Sequence, residues 1–439
     1  MIPAFPINRR SLLTGAGLTA VTAVLPSSRA NAASLPLNLR AAPGTIPLRG
    51  DAATPVWQLA TPAVQRVLRY RRGDELQVAF TNDLPVPAVL NWTGIDGAAT
   101  AEPLTAQPPL PPGGRATFSL PLRHAGTFLL DARLLGDSSE RPSMPLVLVV
   151  DEEQKPSADK DEVLLIEDWR LRADNTALAP GIDTKDAAAL FTVNGKVTQD
   201  IALRPNERLR LRVVNGCQRA VFGLKIENHD VRVIAVDGQP AEPFPARDGQ
   251  LVIAPGGRID VVIDATMPSG SAASVTLFGG GPPVVIARLL TNGGPIRPSP
   301  LPLAPALPSN GLPTELRFQN AVRAELSFDG TAQAGWTMPA AFSTSSAPIF
   351  KAKRGHVVIL NLVNRAASPI VIRLHGHHAR LLDRLDDGWK PYWNDTLLLD
   401  IGQTQRIAFL AEYAGNWLIE AMQPGWSSPK LVRWFAVEG

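Results

Sequence analysis

Cysteine is nearly missing from this 439-residue chain: Cys217 stands alone, so no disulfide can form within it. A small disulfide-stapled fold is thereby excluded, and packed side chains must hold the protein together. Histidine is scarce as well, and of the six only His375, His377 and His378 stand in a cluster. No run of lysine and arginine forms a basic stripe, which argues against a nucleic-acid partner or an anionic membrane surface. Beyond the N-terminal region no apolar stretch qualifies as a transmembrane helix, so no membrane anchor is expected after processing. No histidine lies in triad-like context beside a serine. No glycine-rich loop leads from a strand into a helix; Gly279-Gly280-Gly281-Pro282-Pro283 reads as a turn.

Proline, by contrast, is plentiful, at 41 residues, about twice its ordinary share. Spread through the chain, it opposes long helices and favours short strands joined by turns. The chain reads as all-β.

The N-terminus reads differently. Asn8-Arg9-Arg10-Ser11-Leu12-Leu13 precedes a small-residue apolar run to Leu25, and Ala30-Asn31-Ala32 offers a cleavage site. Residues 1–32 thus read as a twin-arginine export signal, with a periplasmic location for the rest. That piece carries Arg9, Arg10 and Arg29 and no acid, so the formal charge of +3 falls near zero without it.

The remaining chain repeats itself. Residues 71–82, 204–215 and 353–364 each run from a turn into a strand of partly alternating apolar residues and close on an asparagine: Asn82, Asn215 and Asn364. A second cassette follows each one, at Pro112-Gly113-Gly114-Arg115, Pro255-Gly256-Gly257-Arg258 and Ile401-Gly402-Gln403-Thr404. Ala125-Gly126-Thr127-Phe128 and Ala414-Gly415-Asn416-Trp417 then lead into further strands. The period suits a whole β-sandwich. With a charged linker at 151–162 and a connector holding seven prolines at 295–313, domains are expected over 33–150, 163–293 and 314–439.

In these units the chain resembles the three-domain multicopper oxidases, the laccase-like enzymes. Ile166-Glu167-Asp168-Trp169, Phe191-Thr192-Val193-Asn194-Gly195, Ala235-Val236-Asp237-Gly238 and above all Leu374-His375-Gly376-His377-His378 carry the likeness, with Asp395-Thr396-Leu397 and the closing Trp434-Phe435-Ala436-Val437. The resemblance implies three cupredoxin Greek-key β-sandwiches, a trinuclear copper cluster between the first and third, and a mononuclear copper in the third. It also puts ligands in register with this sequence. The first-domain His-Trp-His-Gly stands here as Asn91-Trp92-Thr93-Gly94, and the next His-x-His as Asp131-Ala132-Arg133. In the third domain the motifs become Ile370, Arg373 and His375, then Glu420-Ala421-Met422, Trp426 and Leu431. Of these only His375 keeps a ligand's side chain. A blue-copper site needs a thiolate with two imidazoles, and Ala421, Ile370 and Trp426 supply neither.

The vestigial trinuclear pocket is therefore expected to hold Asn91, Thr93, Asp131, Arg133, Arg373, His375, Glu420 and Met422, and the vestigial mononuclear site Ile370, Ala421, Trp426 and Leu431. No cofactor is expected, copper being the alternative. The two carboxylates and two guanidinium groups are expected to pair in a buried network with Asn91, Thr93 and His375 beside them; the other reading leaves them facing water. A strand through 375–378 would put His375 and His377 on one face, where with Glu420 or Met422 they could take one stray metal ion. His124, His229 and His356 read as surface or strand residues, and Cys217 as a small buried one.

Three functions stay open. The first is a periplasmic scaffold with protein partners, similar in kind to a copper-free, twin-arginine-exported cell-division protein of that family. The second is a copper oxidoreductase or metal-handling protein with unconventional ligands. The third is a small-molecule binder using the vacated pocket, with Trp92, Trp417 and Trp426 along it.

Overall fold

The computed structural model describes residues 34–63, 65–279, 281–332, 335–382 and 392–439. The export signal read over residues 1–32 lies outside them. Among the described residues strands dominate, and the helices are three single 3-10 turns. None is long and apolar enough to cross a membrane.

Six sheets form three sandwiches. The first pairs a five-stranded with a four-stranded sheet, the second a six-stranded with a five-stranded one, the third a four-stranded with a five-stranded one. Each encloses its own core. Leu76, Val78, Phe128 and Leu148 lie in the first, Leu209, Leu211, Phe222 and Val261 in the second, Val358, Leu360, Trp417 and Phe435 in the third. The chain is all-β, with three cupredoxin-like domains.

The repeated cassettes turn out to be neighbours in space. Strand Glu75–Asn82 pairs antiparallel with Arg115–Pro121, Arg208–Asn215 with Arg258–Asp264, and Val357–Asn364 with Thr404–Leu410. On its other side each first cassette pairs parallel with the strand that opens its domain, Ser34–Arg49, Lys160–Leu171 or Val322–Phe328. The second of these opening strands starts at Lys160, inside the stretch read as linker.

The closing asparagines do one job three times. Each Oδ1 accepts the backbone N–H two residues on, at Leu84, Cys217 and Ala366. Each Nδ2 donates to carbonyl oxygens across the turn, Val86 and Leu110, Ala220 and Ile253, Ser368 and Leu399. All three are buried, so the amide replaces the water that these backbone groups would otherwise need.

Domains meet through satellite apolar clusters. Val89 and Leu134 of the first pack with Leu418 and Val432 of the third. Leu129 and Val147 of the first pack with Val163 and Val214 of the second. At Gly126, φ +152°, a Cβ would come 2.2 Å from the carbonyl oxygen of Gly238, so glycine there lets two domains' backbones touch.

Candidate functional site

Strands Ile370–Leu374 and Gly415–Met422 lie side by side, with Arg373 opposite Glu420 and Ile372 opposite Ala421. Because side chains alternate across a sheet, one face of this pair looks into the third-domain core and the other towards the first and second domains. Strand Asn91–Thr93 of the first domain, paired with Gly126–Asp131, supplies the facing wall.

Glu420 is the hub. Its Oε1 accepts from Asn91 Nδ2 at 2.8 Å, from His375 Nε2 at 2.8 Å and from Arg373 Nη1 at 3.3 Å. Its Oε2 lies 3.6 Å from Lys430 Nζ. His375 continues the chain, its Nδ1 standing 2.8 Å from Glu102 Oε1. With a carboxylate on each ring nitrogen, His375 must donate from both, which makes it an imidazolium. Burial opposes that charge, but Glu102 and Glu420 overcome it and push the His375 pKa up to about 9. Burial likewise opposes ionised Glu420, yet Arg373, Lys430 and His375 hold it well below the usual carboxylate range. Arg373 also reaches the second domain, donating from Nη2 to the Pro255 carbonyl at 3.0 Å. A Cβ at Gly256, φ +86°, would lie 2.1 Å from that guanidinium nitrogen, so the cassette glycine makes its room.

Asp131 and Arg133 form a separate pair. The Arg133 guanidinium meets Asp131 Oδ2 at 3.3 Å and donates to the Gly216 carbonyl of the second domain at 2.6 Å. The single network expected from the sequence is thus two groups. Thr93, expected beside the network, and Met422, expected in the pocket, stand apart from both groups. Thr93 is buried but its Oγ1 has no partner, and Met422 packs with Ala254 and Val371 in an apolar cluster. Glu102 and Lys430 were missed, because neither falls on a ligand position of the motifs.

The mononuclear positions are hydrocarbon. Ile370, Ala421 and Leu431 belong to the third-domain core. Trp426 instead turns outward, donating its indole N–H to the Ala179 carbonyl at 2.9 Å and lying under Arg170, 4.8 Å from the ring centroid. Trp92 and Trp417 are core residues of the first and third domains rather than cavity walls.

The histidine cluster does not stay together. The strand ends at Leu374, and Gly376 at φ +67° turns the chain, so the period-two reading of 375–378 fails. His377 sits among the rings of Phe409, Tyr413, Trp417 and Phe435, where burial drives its pKa down to about 4. His378 points to Asp96 of the first domain at 2.8 Å and to the Asp237 carbonyl of the second at 2.9 Å. Burial opposes its charge, but Asp96 and Asp395 raise its pKa to about 10. His124 is a correction: it is buried, not on the surface, with Nδ1 3.3 Å from Asp96 Oδ2. Cys217 is buried against the Ile166 carbonyl, and burial pushes its thiol pKa up.

Among the described residues no three His, Cys, Asp or Glu side chains are arranged to hold a metal ion. Three cupredoxin-like sandwiches with a buried polar cluster between the first and the third define a three-domain cupredoxin protein. Models of multicopper oxidase domains match residues 41–152, 160–274 and 312–438. The chain belongs to the multicopper oxidase family. It is 24% identical over 407 residues to the multicopper oxidase MmcO of Mycobacterium tuberculosis, covering 80% of this chain and 77% of that protein. Laccase-1 of Thanatephorus cucumeris is 28% identical over 221 residues, 44% of this chain and only 38% of the laccase. Among solved structures, a multi-copper oxidase from Pseudomonas thermotolerans superimposes with a TM-score of 0.77 at 25% identity, covering 92% of this chain and all of that one. Lac15 from a marine microbial metagenome gives 0.73 at 26%, covering 93% of this chain and 100% of its own.

The residues present do not fit the family's copper. At the mononuclear positions Ile370, Ala421 and Leu431 offer no lone pair and the Trp426 nitrogen is a donor only. At the cluster positions the guanidinium groups of Arg133 and Arg373 are committed to carboxylates, and both nitrogens of His375 carry protons. Each would repel a cation.

Proposed function

We propose that this protein is a copper-independent member of its family, exported to the periplasm, which acts as a folded scaffold for protein partners rather than as an oxidase. The observation behind this reading is His375, the one ligand-type residue left, gripped on both ring nitrogens by Glu102 and Glu420. A ligand imidazole must present a free lone pair, and here both are spent on protons. In kind it is similar to the copper-free cell-division protein FtsP (SufI), and an envelope or division role is proposed by that likeness. Fold alone does not carry function, so the partner has to be found by experiment.

A second reading, a multicopper oxidase working with unconventional ligands, draws on the matched family models and on the relatives named as oxidase and laccases. One experiment separates the two. The protein is exported natively, loaded with copper, desalted and measured by elemental analysis and by oxidation of a phenol. The scaffold reading expects copper far below one ion per chain and no turnover. Stoichiometric copper with a blue absorption band would overturn it, and capture of a partner from periplasm would then extend whichever reading survives.

A further inference from the structure

Two cavities adjoin on the far side of the middle domain from its core. One, about 620 Å³, opens between the first-domain strand Val67–Arg71 and the segment 151–161. The other, about 270 Å³, lies beneath the proline-rich connector, floored by Ile234 and Val262. Lys155, Pro156, Ala158 and Arg210 border both.

The larger cavity has uncommitted positive charge. Its acids are mostly occupied: Asp151 with Arg69 at 3.2 Å, Glu152 with Arg210 at 2.9 Å, Asp159 with Arg297 at 2.5 Å and Asp161 with Arg212 at 2.7 Å. Only Glu153 on its wall is without an arginine. Among the described residues the exposed side chains of Arg71 and Lys155 meet no acceptor. Arg72 spends its hydrogen bonds on the carbonyls of Arg123, Ser309 and Asn310, so its charge too lacks a carboxylate.

The smaller cavity is mainly apolar, with Gln154, Lys155, Ser157 and Arg210 as its polar lining. Ile234 and Val262 alternate along their strands with the core residues Val233 and Val261, so they face away from the core and towards the connector. Ala304, Pro305, Ala306 and Leu307 roof them.

We propose that this double cavity binds a single-chain amphiphile with a phosphate head. The head sits among Arg71, Arg72 and Lys155, and the alkyl chain runs past Pro156 along the connector residues Ala304, Pro305 and Leu307, above the buried Ile234 and Val262. Charge complementarity fixes the head, and apolar area removed from water holds the tail. The site lies apart from the copper positions, so it stands or falls independently of the scaffold reading.

Calorimetric titration of the full processed chain with monooctyl phosphate, inorganic phosphate and octyl glucoside, all below micelle formation, tests it. Monooctyl phosphate is expected to saturate one site at least roughly tenfold more tightly than either fragment. The double charge reversal Arg71→Glu with Lys155→Glu, both exposed and so compatible with folding, should weaken it by roughly tenfold or more. Ala304→Phe, filling the smaller cavity, should bring monooctyl phosphate down to the level of inorganic phosphate. The proposal is overturned if monooctyl phosphate does not saturate. It is overturned equally if phosphate or octyl glucoside binds as well, or if the charge reversal leaves affinity unchanged.

Discussion

The strand pair Ile370–Leu374 and Gly415–Met422 carries positions aligned with both of the family's copper motifs on opposite faces, and the two faces are lined differently. On the inward face Ile370, Ala421 and Leu431 merge with the third-domain core. On the outward face Arg373, Glu420 and His375 form charged hydrogen bonds to Asn91, Glu102 and Pro255 of the other domains. The difference follows from what surrounds each face. Inside a sandwich every neighbour is apolar, so hydrocarbon restores close packing. Between domains the walls are strand ends and turns with backbone carbonyls and amides still to satisfy, and only polar side chains do that.

The sharpest way to break the comparison is Arg373→Ala. It leaves Glu420 buried beside His375 and Lys430 and strips the Pro255 carbonyl of its donor, at an expected cost of about 3–5 kcal/mol. Chemical denaturation checks this, and a melt that coincides with wild type would reduce the outward face to filler. Replacing both partners, Arg373→Met with Glu420→Leu, should not recover that cost, because the buried Lys430 and Asn91 then lose their acceptor and His375 keeps only Glu102.

On the inward face Leu431→Ala should cost about 2–5 kcal/mol by opening a cavity. Its effect should be insensitive to pH, which separates it from any change on the outward side.

The smallest effect expected is the pH response of the outward face. The His375 pKa is raised from 6.5 to about 9 in the folded protein, so its contribution is full below the unfolded value and fades as pH climbs through about 9. Glu420 is depressed, so its contribution is present above the ordinary carboxylate value and fades in acid. Melting temperatures should therefore fall from neutral to alkaline pH, and His375→Gln should flatten that part of the slope. Other raised histidines, His378 above all, contribute in the same window, so the comparison of variant with wild type is the measurement that counts.

A third buried polar region tempers the contrast. Arg208, Arg210 and Arg212 alternate along one strand with Leu209, Leu211 and Val213. The leucines and valine fill the middle-domain core, while the arginines meet Asp264, Asp260 and Asp161 on the other face, almost wholly shielded from water. In sequence the segment shows only a strand of partly alternating apolar residues. Its partners sit some fifty residues away, and nothing local marks the face as covered. The same blindness hid Glu102, Lys430, Asp96 and His124, each buried and each in contact with a residue of another domain: His375, Asp137, His378 and Gln239.

What the sequence determined by itself was local and repetitive. The cassettes, their closing asparagines and the apolar alternation fix strands and turns over a few residues, and their threefold recurrence fixes three sandwiches. The side chains at the ligand positions were legible as well, since a missing thiolate is visible without coordinates. Only the tertiary structure decided which charges meet, that Asp131 and Arg133 pair apart from Glu420, and that His375, His377 and His378 part company at Gly376. Pairing depends on distances of a few ångströms between segments hundreds of residues apart, and a period-two pattern carries no information about what faces it across a domain boundary.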